Sequence, residues 1–165
     1  MAPNNIYIFT DAIHTGKTTV LQNWIRDKQI KAGGILTPDR DEKRWIYDIS
    51  RDEWHTLQVE KGHPLPDSVV IGKFRFSRSG FKLAQQILLR SAQEDPDWVI
   101  VDEVGMLELH RKTGLEPSLS EIINIYKSGQ QKGNLLLVIR NYLVEETINM
   151  FGLNWDLVKH KSFFL

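Results

Sequence analysis

Cysteine is absent from this 165-residue chain, which excludes a disulfide framework, thiolate nucleophiles and cysteine zinc sites. Net charge is absent too, because 21 Lys and Arg are matched by 21 Asp and Glu. The basic excess usual in nucleic-acid-binding domains is therefore missing, and no nucleic-acid footprint is expected. No apolar run approaches the roughly 18 residues that a membrane helix needs. The opening Met-Ala-Pro-Asn-Asn lacks the basic and apolar regions of a signal peptide, so the expectation is a cytoplasmic protein without membrane contact. No internal repeat or low-complexity segment is visible. The remaining composition, 41% hydrophobic and 25% charged, is ordinary for a globular protein. The length suits one domain over residues 1–165, long enough for a sizeable core.

Ile6-Tyr7-Ile8-Phe9 is an apolar and aromatic run of the kind a buried strand carries. A short loop leads into Gly16-Lys17-Thr18-Thr19, after which Val20, Leu21, Trp24, Ile25 and Lys28 recur at helical spacing. That spacing predicts a helix from Lys17 to about Lys31. Strand, loop and helix in this order form a phosphate-binding loop, in which backbone N–H groups and a helix N-terminus cradle phosphate oxygens. The loop residues are then Asp11, Ala12, Ile13, His14, Thr15, Gly16, Lys17, Thr18 and Thr19. Lys17 would reach the outer phosphates, and the Thr18 hydroxyl would complete a magnesium shell. The usual pattern G-x-x-x-x-G-K-[ST] has glycine where this chain has Asp11.

Ala32-Gly33-Gly34 reads as the end of the first helix, and Ile35-Leu36-Thr37 as a second strand stopped by Pro38. Residues 38–66 change character: a charged turn at 39–44 precedes two alternating segments, Trp45–Ser50 and Glu53–Val59, that predict antiparallel strands. Roughly 30 residues are too few for a separate core, so this region is expected to be a β-meander inserted into a parallel sheet. Val69–Gly72 and Phe74–Phe76 return to a strand pattern, and a helix is predicted over about Phe81–Gln93. Trp98–Val101 is the most buried-looking strand and ends in Asp102-Glu103. Pro117 suits the first turn of a helix reaching about Gln131. Leu135–Ile139 predicts another central strand, Val144–Phe151 a short helix and Ser162–Leu165 a last strand. Continuous apolar strands alternating with helices indicate an α/β fold with a parallel sheet covered on both faces.

Acids leaving the end of a buried parallel strand stand where ligands bind in such folds. Asp102 is placed to hold magnesium through water, and Glu103 to polarise an attacking water. The plainer alternative is that both merely solvate a strand end. The phosphate loop upstream and the adjacency of the two carboxylates favour the catalytic reading.

These segments resemble the small P-loop nucleoside-triphosphatases first described from thermophiles, a family that extends to a human cancer-related branch. The resemblance covers Ile6 to about Gly152 and rests on Gly16-Lys17-Thr18-Thr19, on Gly34-Ile35-Leu36-Thr37-Pro38 with Arg44 downstream, and on Ile71-Gly72-Lys73-Phe74. Its most specific part is Val99-Ile100-Val101-Asp102-Glu103-Val104-Gly105-Met106-Leu107-Glu108-Leu109. It implies a three-layer, RecA-like P-loop NTPase fold with a mostly parallel central sheet. It also implies magnesium-dependent hydrolysis of ATP, GTP and other nucleoside triphosphates with little base selectivity. By position, Lys17 and Thr18 take the phosphate and metal roles, Asp102 the metal and Glu103 the water. The chain departs from the family loop G-x-P-G-x-G-K-T, since Asp11, Ile13 and His14 replace two glycines and a proline. A carboxylate at Asp11 repels phosphate if it faces the ligand and is harmless if it points back along the strand. Asp11→Gly is expected to tighten MgATP binding or raise turnover; unchanged affinity and rate would mean that Asp11 faces away from the phosphates. His14 either donates to a phosphate or simply covers the loop.

Other candidates are isolated. Arg140, just past the strand at 135–139, is placed to sense the γ-phosphate or stabilise transferred charge, or else to pair with a carboxylate. Arg75 and Arg78 would contact phosphate or a second substrate, or lie on an ordinary solvated loop. Arg44 with Trp45 would hold a base by stacking, although Trp45 and Trp54 equally suit cross-strand packing. His55, His63, His110 and His160 show no metal-ligand spacing. The leading expectation is a magnesium-dependent nucleoside-triphosphatase. A small-molecule or nucleotide kinase using Arg75 and Arg78 is the alternative, and a nucleotide-binding regulatory module with weakened or lost hydrolysis is the third. No protein partner is indicated.

Overall fold

The computed structural model describes residues 3–12 and 16–165. Five strands form the parallel centre: β1 (Ile6–Phe9), β2 (Ala32–Leu36), β9 (Trp98–Val104), β10 (Asn134–Ile139) and β11 (Val158–Lys159), in the spatial order β11-β1-β10-β9-β2. Helices α1 (Lys17–Asp27), α2 (Arg78–Glu94), α3 (Met106–Arg111), α4 (Ser118–Lys127) and α5 (Val144–Phe151) connect or flank them. None of the described helices is long and apolar enough to cross a membrane.

The uninterrupted apolar strands are explained by two cores. Leu135, Leu137 and Ile139 of β10 join one cluster with α2, α4 and α5, while Leu136 and Val138 join a second with Val20, Leu21 and Trp24 of α1. In β9, Val99 and Val101 face the first cluster and Ile100 the second. Strand side chains alternate between faces, so a strand covered on both sides must be apolar at every position. Each fully buried Leu or Ile there contributes about 1.5–3 kcal/mol. The three-layer α/β expectation is met.

Several boundaries differ from those expected. Helix α1 stops at Asp27, and Ala32-Gly33-Gly34 belongs to β2. Glycine is needed there for close approach: a Cβ on Gly34, at φ 89°, would lie 2.1 Å from the Ile100 carbonyl oxygen of β9. Helix α2 begins at Arg78, capped by the Ser77 hydroxyl accepting from the Gly80 N–H at 3.0 Å. The segment Ser162–Leu165 is no strand. Lys161–Phe164 forms a 3₁₀ turn whose Phe164 packs on Phe9 and Trp24, with centroids 4.4 and 5.1 Å apart.

The antiparallel additions are β3 (Asp39–Arg40), β4 (Lys43–Asp48) and β5 (Glu53–Thr56), with β4 pairing β2, β3 and β5. Strands β6 (Gln58–Val59), β7 (Ser68–Ile71) and β8 (Phe74–Ser77) form a separate three-stranded sheet instead. Trp54 packs against Trp45 and Tyr47 at 6.4 and 5.2 Å, so the aromatic residues of this region serve cross-strand packing.

Candidate functional site

The segment between the carboxyl end of β1 and the start of α1 is the one expected to be the phosphate loop. Ile13, His14 and Thr15 lie outside the described residues. Gly16 stands at φ 73°, ψ 38°, a left-handed conformation that glycine adopts without a Cβ penalty. Among the described residues the helix start carries no side-chain cap, and its first turn has no acid. Its N–H groups and positive dipole end are therefore available to an anion.

The counterpart arrives on β9, one strand beyond β10. Asp102 is 1% exposed. Its Oδ2 accepts hydrogen bonds from the Thr18 hydroxyl at 2.8 Å and from the Thr37 backbone N–H at 3.0 Å. One carboxylate thus ties the loop helix to the end of β2. A strand expected to end at these acids instead continues to Val104. The β9–β10 register pairs Val101 with Leu137 and Val104 with Ile139, leaving one extra residue in β9. Glu103 takes the left-handed conformation in this bulge, at φ 56°. A bulge re-aims its side chains, which explains how adjacent acids separate: Asp102 is buried while the Glu103 side chain is 43% exposed.

Glu103 is not free. Its Oε2 forms an ion pair with Arg44 Nη1, and Arg44 Nε also bonds Asp39 Oδ1 at 2.7 Å. Desolvation among the strand ends raises the Glu103 carboxyl above the usual carboxylate range; Arg44 opposes that rise and the Asp102 charge adds to it. Arg140 lies near enough to favour the ionised form of Glu103, and its Nη1 stands 3.5 Å from the Tyr142 hydroxyl.

Asp11 faces the C-terminal segment. Its Oδ1 accepts from the Ala12 N–H at 3.1 Å and its Oδ2 from the Lys161 N–H at 3.2 Å. The Lys161 contact in particular holds the carboxyl below its ordinary value. Adjacent bonds join Thr10 N–H to the Lys159 carbonyl and His160 Nδ1 to the Thr10 carbonyl, both at 3.0 Å. Arg75 of β8 donates to the carbonyl of Lys61, in the turn after β6, at 2.6 Å, and Arg78 is the exposed first residue of α2. Arg44, expected beside Trp45 as a base clamp, is held by the two carboxylates, and Trp45 Nε1 donates to the Arg40 carbonyl at 2.9 Å.

Two residues of the cluster escaped the sequence reading in their actual roles. Thr37 closes the far side of Asp102, and Arg44 caps Glu103; only their presence in the Gly34–Pro38 run and just after it gave any signal. The donor set suits magnesium, a hard cation that accepts hydroxyl and carboxylate oxygens and keeps several waters. The buried Thr37 hydroxyl has no hydrogen-bond partner among the described residues, so polar capacity remains beside this carboxylate, which its backbone N–H already contacts. No group of three or more His, Cys, Asp or Glu converges among the described residues. Most of the shell of such an ion would therefore come from phosphate and water.

The strand order and the meeting of Thr18 with Asp102 at the sheet's carboxyl edge define a P-loop NTPase. The family model described as NTPase matches residues 6–153, and the chain belongs to that family. Two solved structures share the fold. THEP1 from the hyperthermophile Aquifex aeolicus superposes with a TM-score of 0.67 at 17% identity, covering 94% of this chain and 87% of that one. A human cancer-related nucleoside triphosphatase gives 0.64 at 15% identity with the same coverage of each chain, 94% and 87%. No curated protein sequence matches.

Proposed function

We propose that the chain is a cytoplasmic enzyme that binds and hydrolyses nucleoside triphosphates, ATP or GTP with broad base tolerance, in a magnesium-dependent reaction. The observation that carries this reading is the Thr18–Asp102 hydrogen bond at 2.8 Å, which brings together the two residues that would hold the metal. Lys17 and the uncapped start of α1 would hold the outer phosphates. The Thr18 hydroxyl and Asp102 carboxylate would hold magnesium, which when bound neutralises phosphate charge. Glu103 would accept a proton from the water whose oxygen bonds the γ-phosphorus. The phosphorus–oxygen bond to the diphosphate breaks as that bond forms, and the diphosphate leaves with the electron pair. Arg140 is placed to steady the transferred charge.

Two observations weigh against the alternatives. Arg75 is committed to main-chain carbonyls, which removes support for an acceptor site of a kinase. Asp11 is turned onto Lys161, which removes the repulsion that motivated a non-hydrolysing module. Glu103→Gln is the test: phosphate release should fall by about 100-fold or more, while MgATP at 100 times Kd still stabilises the variant by about 2.7 kcal/mol. Unchanged hydrolysis, or no stabilisation of the wild type by any nucleotide, would overturn the proposal.

A further inference from the structure

Arg44 is supplied from outside the parallel sheet, yet it contacts the acid assigned to the attacking water. Its backbone is fixed: the N–H donates to Gln58 Oε1 at 3.0 Å, and the strand partner of Arg44 is Asp39. The next residue, Trp45, donates its N–H to the Pro38 carbonyl at 2.9 Å, directly after the Thr37 that bonds Asp102. The root of the side chain is thus rigidly referred to the same strand ends that hold Thr18 and Asp102. Its guanidinium, with the side chain 24% exposed, is shared between Asp39 and Glu103.

That arrangement is a poor final state for either group. A carboxylate already paired with a guanidinium has less capacity to orient a water, because one of its oxygens is occupied. A guanidinium can form two parallel bonds to a phosphate as well as to a carboxylate, and a terminal phosphoryl group carries more charge than one carboxylate. Arg44 has a long stem on a fixed backbone, so a change of partner needs side-chain rotation only. Arg140, the residue after β10, acts on the Glu103 charge from a distance, whereas among the described residues the ion pair of Glu103 is with Arg44.

We propose that Arg44 is a γ-phosphate ligand held on Glu103 in the nucleotide-free protein, and that it exchanges partners when a triphosphate enters. The exchange adds positive charge where the transferred phosphoryl group sits and releases Glu103 to the water. A diphosphate, lacking the γ-group, leaves Arg44 on Glu103. The site thereby distinguishes substrate from product by one side chain. This inference rests on the triphosphatase reading above.

The test is calorimetric binding of a non-hydrolysable triphosphate analogue and of the matching diphosphate, both with magnesium, to wild type, Arg44→Ala, Glu103→Gln and the double variant. Arg44→Ala should weaken the triphosphate analogue roughly 10- to 100-fold, as expected for losing a charge-assisted contact, and leave the diphosphate within about twofold. Glu103→Gln frees Arg44 and should tighten the triphosphate analogue relative to the diphosphate, a gain that disappears in the double variant. Arg44→Lys keeps the stem and the charge but not the fork; it should give an intermediate loss confined to the triphosphate, and it replaces Arg44→Ala if that variant does not fold. Equal weakening of both nucleotides, no weakening of either, or a Glu103→Gln gain that persists without Arg44 would each overturn the exchange. Failure of wild type to bind any nucleotide would instead overturn the triphosphatase reading and the exchange with it.

Discussion

Glu108 offers a test of the site's foundations through pH. Its carboxyl is 3% exposed, with Oε1 accepting from the Gly105 N–H and Oε2 from the Leu115 N–H, each at 2.9 Å. It therefore staples the turn after Glu103 to the segment that enters α4. Burial raises it from 4.5 to about 7, against the pull of those two backbone bonds. The sign follows directly: between pH 4.5 and 7 the folded protein retains a proton that the unfolded chain has released. Stability contributed by this group is full below 4.5, falls as pH rises to 7, and stays flat above. The 2.5-unit displacement, 7 minus 4.5, sets a ceiling of about 3 kcal/mol at about 1.36 kcal/mol per unit. Glu108→Gln removes the ionisation and offers one carbonyl oxygen to two N–H donors, a loss of about 1 kcal/mol at every pH. The variant should thus be about 1 kcal/mol less stable than wild type at about pH 3.5, about equal to it at pH 5, and about 2 kcal/mol more stable at pH 8. Urea unfolding of both proteins across this range measures the difference, and histidine titration cancels in it. Curves that remain parallel from pH 5 to 8 would refute the reasoning.

Gly34→Ala should cost about 3 kcal/mol or more, from a left-handed backbone and a methyl group driven into the Ile100 carbonyl; urea unfolding would detect it, and a cost below about 1 kcal/mol would contradict the β2–β9 packing. Asp11→Gly should leave MgATP affinity within about twofold, because the carboxylate faces Lys161 and exposed charges are well screened. A clear tightening in titration would place that carboxylate against the phosphates instead.

The central strands were legible because burial on both faces demands apolar residues throughout, as in β10, and Val144–Phe151 matches α5 from end to end. Failures came where a distant backbone decides the local structure. Gly33 and Gly34 resemble a helix terminus until β9 is placed against them. Phe163 and Phe164 favour strand by residue type, but an aromatic cluster with Tyr7, Phe9 and Trp24 holds them in a 3₁₀ turn. At the site, Lys17, Thr18, Asp102 and Glu103 announce themselves by local pattern. The Arg44–Glu103 pair does not, because it exists only once the meander has folded beside β2.

Strand β1 pairs with β10 on one side and β11 on the other, and the bond between His160 and Thr10 spans 150 positions. On a ribosome adding about 5–20 residues per second, β1 therefore waits up to about 7–30 s for these partner strands. Loop-closure entropy over such separations is overcome only after those partners exist. The β1–β11 pairing is accordingly a late event, which cannot form before residues 158–159 have been made.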